Sequence, residues 1–202
     1  MAPLLKVYTL GGVQILLGEQ TVTDIANRKA EALLVYLAAT HRPQAREVLA
    51  DLLWDERSQA QALANLRVVL TMLRKHFEPY LEINRQTVAL QTDGQVWTDL
   101  GEFAWRLEAG RSGKVAGGVA DAQALQSAVE LYRGDYLEGF HVRDCRGFEE
   151  WLVGQRERLH QEVVEALQEL IALHIQAAAY PAGLAAVNRL LQIDPLNESA
   201  HR

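Results

Sequence analysis

Residues capable of catalysis are present in this sequence, but none has the spacing that catalysis requires. Residues 110–114, Gly-Arg-Ser-Gly-Lys, have the glycines and the lysine of a phosphate-binding loop, yet Glu108 occupies the position of the first required glycine and no Ser or Thr follows Lys114. The six histidines lack paired metal-ligand spacing, and the single cysteine, Cys145, cannot anchor a zinc site. The sequence therefore predicts a protein that is not an enzyme and that carries no metal or cofactor.

Length and composition favour an ordinary globular protein of one or two domains. The chain has 202 residues, of which 49% are hydrophobic and 23% are charged, so that either half is long enough to bury a core. No apolar run reaches the length that crosses a bilayer, and residues 1–6 lack the basic head and apolar stretch of a signal peptide. Together with the single cysteine, these features predict a cytoplasmic protein with no membrane contact.

Charge is distributed unevenly along the chain. Residues 1–93 contain ten Lys or Arg and ten Asp or Glu, whereas the remainder is acidic and carries the whole net charge of −6. Any contact with nucleic-acid phosphates must therefore come from a local basic patch in the first segment. The acidic second segment is better suited to contact with protein.

The first 93 residues predict strands, three helices and a hairpin, in that order. Short apolar runs separated by glycine turns predict the strands, and leucines and alanines at helical spacing predict the helices. Alternating residues on both sides of a polar tip at Arg85-Gln86 predict the hairpin. The expected elements are strands at 4–10, 13–17 and 21–23, helices at 27–40, 46–54 and 58–77, and hairpin arms at 81–84 and 87–90. The inward-facing residues expected in the second and third helices are Val48, Leu49, Leu52, Leu53, Leu63, Leu66, Leu70, Leu73 and Phe77.

After Asp93-Gly94 the sequence predicts only helices. Asp99 is expected to cap the first of them, and a glycine-rich loop is expected at 110–118. The helices are predicted at 99–109, 121–132, 145–178 and 181–193, with the opening turns of another at 196–202. This change of pattern divides the chain into two predicted domains, 1–95 and 96–202.

Short motifs along the whole chain, in a fixed order, carry a resemblance to one family. In the first part they are Leu10-Gly11-Gly12, Arg28-Lys29-Ala30, Leu52-Leu53-Trp54, Asn65-Leu66-Arg67, Leu73-Arg74-Lys75, Val88-Ala89-Leu90 and Trp97-Thr98-Asp99. In the second part they are the run from Leu131 to Gly139, Trp151, Arg156, Asp194-Pro195, Glu198, His201 and Arg202. These motifs resemble the antibiotic regulatory proteins of actinomycetes, which join a response-regulator-type winged helix to a bacterial transcriptional activator domain.

The resemblance implies both a fold and a function. The implied fold is an α+β winged helix-turn-helix followed by an all-α, tetratricopeptide-like domain, so that the chain is mainly α overall. The implied function is that of a transcriptional activator whose winged helix binds double-stranded promoter DNA. The helical domain would then mediate oligomerisation or contact with RNA polymerase.

In a helix-turn-helix the second helix enters the major groove and the wing lies beside it, so residues 58–77 are the expected reading helix. Burying the leucine-lined side of this helix turns a mixed polar and cationic face outward. The DNA-binding residues expected on this face and at the wing are Gln61, Asn65, Arg67, Val68, Thr71, Met72, Arg74, Lys75 and Arg85. The cations suit phosphates, Gln61 and Thr71 suit base edges, and Val68 and Met72 suit a thymine methyl group.

Some of these residues have structural alternatives. Arg67 could pair with an acid of the preceding helix, and Asn65 could support the turn. Trp54 and Trp151 are expected in the core. Ala64 and Met72 stand where relatives tend to carry arginine, which predicts modest DNA affinity with a reduced salt dependence. The alternative function is therefore an interaction scaffold whose winged helix does not bind DNA.

Overall fold

The computed structural model describes residues 2–23, 25, 27–91, 94–112 and 118–197. Its order of elements is strands, three helices, a hairpin and further helices, as the sequence predicts. The first elements are β1 (Leu5–Tyr8), β2 (Gln14–Leu17), β3 (Gln20–Thr21), α1 (Arg28–Thr40), β4 (Gln44–Ala45), α2 (Arg46–Trp54) and α3 (Gln59–Phe77). A 3₁₀ turn (Glu78–Tyr80) then leads to β5 (Leu81–Ile83), β6 (Thr87–Leu90), β7 (Val96–Thr98), α4 (Asp99–Arg111), α5 (Gly118–Leu131), α6 (Arg146–Gln176) and α7 (Tyr180–Ile193).

Two small sheets flank the first three helices. One has the strand order β3-β2-β1-β7, in which β1 and β7 run parallel, and the other has the antiparallel order β4-β6-β5. Neither β4 nor β7 is predicted from the sequence, and the expectation of an all-helical chain after Asp93-Gly94 is wrong, because β7 lies at Val96–Thr98. Strands of two or three residues are too short to show a period of their own, and pairing with a distant strand creates them.

The first three helices enclose the core of the N-terminal region. Helix α1 begins where the Asn27 side chain accepts a hydrogen bond from the Lys29 amide at 2.9 Å. In α2 the expected inward position of Val48 is wrong, because that side chain is 49% exposed. Leu49 and Leu53 are buried as expected and Leu52 is half-buried, and α2 also buries Ala50 and Trp54. Helix α3 buries Ala62, Leu66, Val69, Leu70, Leu73 and Phe77 and leaves Leu63 half-buried.

The helical region begins at a different cap from the expected one. The Thr98 hydroxyl accepts from the Gly101 amide at 2.9 Å, so Thr98 is the N-cap of α4, and the Asp99 carboxylate points back to the N-terminal sheet. Helix α4 packs on α5, and α6 packs on α7. Within the predicted loop at 110–118, the first residues belong to α4 and Gly118 begins α5; residues 113–117 lie outside the described residues. Most of the predicted final helix, at 198–202, lies outside them as well.

The N-terminal and helical regions share one hydrophobic core. Residues 9–11 pair with residues 135–138 through a bridge between Leu10 and Tyr136, and the Leu137 amide donates to the Thr9 carbonyl at 2.8 Å. Trp151 packs edge-on against Tyr36 of α1, with ring centroids 4.9 Å apart. The motifs of the two regions, which are far apart in the sequence, therefore meet in space.

Candidate nucleic-acid interface

The solvent-facing side of α3 holds all the residues that the sequence analysis selected from this helix. They are exposed along its length, at Gln61, Asn65, Arg67, Val68, Thr71, Met72, Arg74 and Lys75. Because the opposite side is packed into the core, no rotation of the helix is needed to present this face to a groove. We call this set of eight residues the α3 face.

The cations of the α3 face have no acidic partner within the described residues. Within the described part of the chain, no acidic side chain forms an ion pair with Arg67, Arg74 or Lys75, so the expected alternative of an Arg67 pair with α2 is not observed there. Three basic residues at the end of α3 also complement the negative end of its dipole.

Two polar contacts limit what the α3 face can offer to a base. The Thr71 hydroxyl donates to the Arg67 carbonyl at 2.8 Å, so it is left as an acceptor toward any ligand. The Met72 sulfur lies 3.9 Å from the Asn27 side-chain amide, and Met72 is 39% exposed. Part of the Met72 side chain therefore packs against the start of α1, whereas Val68, which is 55% exposed, is more open to solvent.

The tip of the wing, which is the β5–β6 hairpin, is closed by hydrogen bonds of the Asn84 side chain and leaves Arg85 exposed. The Asn84 side chain accepts from the amides of Gln86 and Thr87 at 2.8 and 2.7 Å, which closes the turn around Arg85. Arg46, the first residue of α2, donates through its guanidinium to the Asn84 carbonyl at 3.1 Å. This places a second cation beside Arg85.

Arg46 is not among the DNA-binding residues expected from the sequence. The position of Arg46 beside the wing depends on β4, because this strand pairs with β6 and so brings the start of α2 to the hairpin. The only local feature of the sequence that could have pointed to Arg46 is a basic residue at the start of the second predicted helix.

A polar cleft of about 400 Å³ opens beside the first turns of α3. Its lining combines the winged helix with the turn before α6, through Lys29, Trp54, Glu56, Arg57, Gln61, Asn65 and Asp144. Arg57, an exposed cation of the α2–α3 turn, is a further residue that the sequence analysis did not select. The carboxylates of Glu56 and Asp144 would oppose a phosphate at this point.

The two basic residues at the start of α1 belong to the contact between the two regions. The Lys29 ammonium donates to the carbonyls of Leu53 and Asp144 at 2.6 and 2.8 Å. The Arg28 guanidinium lies 4.0 Å from the centre of the Phe140 ring. Both side chains are thus engaged with other parts of the protein.

The structure also bears on catalysis, metal binding and membrane insertion. Burial raises the pKa of the Cys145 thiol to about 11, which favours the protonated thiol at neutral pH. Among the described residues, no three His, Cys, Asp or Glu side chains form a group that could hold a metal ion. In the same part of the chain, no helix is both long and apolar enough to cross a membrane.

Comparison with known families gives a match in the second part of the chain. The profile of the family described as the bacterial transcriptional activator domain matches residues 98–202, just over half of the chain. No curated protein matches the sequence.

Comparison with solved structures shows the fold. The structure of Mycobacterium tuberculosis EmbR in complex with low affinity phosphopeptide is similar, with a TM-score of 0.77 and 23% identity. The similarity covers 97% of this chain and 52% of the EmbR chain, so this chain spans about half the length of that protein. The predicted fold class, a winged helix followed by a helical domain, is confirmed by this likeness.

Proposed function

This chain belongs to the bacterial transcriptional activator domain family, and from that premise we propose that it is a regulator that binds double-stranded promoter DNA through its winged helix. In this proposal the α3 face enters the major groove and Arg85 lies on the adjacent backbone or minor groove. The protein would act as an activator in the cytoplasm, where bacterial DNA lies.

One observation carries this proposal. Arg67, Arg74, Lys75 and Arg85 are exposed, and no ion pair within the described residues uses them, in a segment whose total charge is zero. Cations that the fold does not neutralise can displace the counterions of DNA and gain affinity from doing so. Arg67, Arg74 and Lys75 are proposed for phosphates, and Gln61, Asn65 and the Thr71 acceptor for base edges.

The helical region is proposed to contact other proteins. It carries the whole net charge of −6, which disfavours contact with DNA and suits a protein surface. RNA polymerase or a second copy of the chain is the proposed partner, because helical-repeat domains commonly bind protein segments.

Fluorescence anisotropy with a labelled 30-base-pair duplex pool of random sequence tests DNA binding directly. The affinity should fall with salt, and each phosphate contact removed should reduce the slope of log K against log salt by about 0.9. We expect this reduction for Arg74→Ala and Arg85→Ala. Arg158→Ala, which removes the same charge from α6, is the matched control and should leave the slope unchanged.

A second candidate function rests on the apolar part of the α3 face. Val68 is 55% exposed at its centre, and Ala64 beside it adds no charge. Such a face suits a protein partner better than a phosphate backbone. If the full chain shows no salt-dependent binding to the duplex pool, or to duplexes enriched from it, the interaction scaffold replaces the DNA-binding regulator.

A further inference from the structure

The ammonium of Lys29 joins three segments that are far apart in the sequence. It extends from the second residue of α1 and donates to the Leu53 carbonyl in the last turn of α2, at 2.6 Å. It also donates to the Asp144 carbonyl in the turn before α6, at 2.8 Å. The side chain passes over Trp54, with its nitrogen 5.2 Å from the ring centre.

The end of α2 depends on this contact. The last carbonyls of a helix have no partner within the helix, and a cation at that end is favoured by the helix dipole. Here Lys29 satisfies Leu53, and the Cys145 thiol donates to the Leu52 carbonyl at 3.5 Å. Both donors come from outside α2, and one comes from the helical region.

The helical region approaches this end of α2 closely. A Cβ atom added at Gly147 would lie 3.1 Å from the Leu52 carbonyl oxygen, so a larger residue there would need a shift of one of the two helices. On the neighbouring side, Arg28 donates to the His141 carbonyl at 3.4 Å. The segment from residue 141 to residue 147 therefore packs against the start of α1 and the last helical turn of α2.

The same segment is next to the α3 face. Asp144 lines the polar cleft together with Gln61 and Asn65, and its backbone holds the left-handed φ of 52°. A change in the seating of this segment would act on the last turn of α2, to which Lys29 and Cys145 donate, and through the α2–α3 turn on the start of α3.

We infer that Lys29 is a positioning residue, which couples the seating of segment 141–147 to the orientation of the α2–α3 turn and thereby makes DNA affinity depend on the helical region. This inference rests on the proposed function for its readout in DNA binding. Two of the three ammonium donors of Lys29 are used by carbonyl groups of the protein, so the inference assigns Lys29 no phosphate contact. The family motif Arg28-Lys29-Ala30 then acts at the contact between the two regions.

Two substitutions of Lys29 separate positioning from phosphate contact. In the anisotropy assay with the random duplex pool, Lys29→Met should weaken binding about tenfold at every salt concentration, within the usual range of coupling between sites. The salt slope should not change. Lys29→Arg, which keeps a cation with several donors, should stay within about threefold of the parent protein. Lys6→Met, at a paired lysine of β1, is the matched control and should change neither quantity.

Three results of this assay would overturn the inference. A salt slope reduced by about 0.9 in Lys29→Met would show that Lys29 binds a phosphate. An unchanged affinity would show that the contact does not matter for DNA binding. A loss in Lys29→Arg as large as that in Lys29→Met would show that a cationic donor at this position does not restore the contact, contrary to the role inferred for it.

Amide hydrogen exchange of the full chain supplies a readout that does not depend on DNA. In Lys29→Met, exchange should accelerate at residues 52–58 and 141–147 and stay unchanged in α4 and α5. A purely structural role would accelerate exchange throughout, and no change would mean no coupling; either result overturns the inference. If Lys29→Met does not fold, Lys29→Gln serves for the same comparison. If the parent protein binds no DNA, the proposed function fails while the exchange pattern still decides the coupling.

Discussion

The Asp99 carboxylate accepts hydrogen bonds from the backbone amide of Thr9, ninety residues earlier in the chain, at 2.9 and 2.8 Å. It also accepts from the Thr9 hydroxyl and the Leu10 amide, each at 2.9 Å, and pairs with Arg133 at 3.2 Å. Asp99 is completely buried. Since a buried carboxylate is stable only when donors surround it, this group fastens the end of β1 to the start of α4.

Replacing Asp99 by alanine should destabilise the whole protein. The change leaves the amides of Thr9 and Leu10 and the Thr9 hydroxyl without an acceptor. Each buried donor left unsatisfied costs about 1–3 kcal/mol, so we expect a total loss of about 3–5 kcal/mol. Urea denaturation followed by circular dichroism measures the loss. Glu108→Ala, at an exposed position of the same helix, is the control and should stay within about 0.5 kcal/mol of the parent protein. An equally small effect for Asp99→Ala would contradict the role given to this network.

The helices and the outward face of α3 could be predicted from sequence because both follow from local rules. Leucines at intervals of three and four residues mark a buried stripe, and the residues opposite it must face solvent. For this reason every residue selected on α3 is exposed in the structure. The resemblance added the order of the elements and the fold class.

The connections between the two regions could not be predicted in this way. The partner of Asp99 is ninety residues away, and β7 exists only because it pairs with β1. A single sequence contains no period or motif that reports such contacts, so Asp99 was assigned to a helix cap. The Lys29 carbonyl contacts were missed for the same reason, although the Arg28-Lys29-Ala30 motif marked their position.

The Cys145 thiol should be unreactive in the folded protein. It is 3% exposed, and burial raises its pKa to about 11, so that almost no thiolate is present at pH 8. Reaction with a disulfide reagent should therefore be slow in buffer and fast in urea, and the single cysteine makes the signal unambiguous. Rapid reaction of the native protein at pH 8 would mean that the seating of segment 141–147 opens readily.

The same thiol predicts a loss of stability in alkaline solution. Because the folded protein holds the pKa of Cys145 at about 11, above the ordinary value of 9.0, its contribution to stability is complete below pH 9 and is lost as the pH rises toward 11. Other groups titrate in this range, so the measured quantity is the difference in unfolding free energy between the parent protein and Cys145→Ala. A difference that does not change between pH 8 and pH 10.5 would contradict this prediction.

The turn between α6 and α7 should be stabilised by a glycine. Ala178 has a φ of 53°, in the left-handed region that costs a residue with a side chain about 1–2 kcal/mol. Ala178→Gly should therefore raise the unfolding free energy by about 1 kcal/mol. Ala177→Gly, one residue earlier at a φ of −82°, is the matched control and should not stabilise the protein. Thermal denaturation of the three proteins decides the matter.

The absence of a cation at Ala64 should limit DNA binding, because this residue is exposed beside Val68 and Arg67 on α3. Arginine keeps the helix propensity of this position close to that of alanine, so Ala64→Arg should not disturb the fold. If the α3 face lies against DNA, the new guanidinium meets a phosphate or a guanine edge, the affinity for the duplex pool rises, and the salt slope steepens by about 0.9.

Ala104→Arg, at an exposed position of α4, tests whether added charge alone has this effect. It raises the net charge by the same amount but lies on the helical region, so it should strengthen binding much less and leave the salt slope close to that of the parent protein. Equal gains from the two variants would mean that DNA responds to net charge and that the α3 face is not its binding surface. A gain specific to Ala64→Arg would instead place the duplex on α3, because only a local contact can distinguish two arginines of the same charge on one chain.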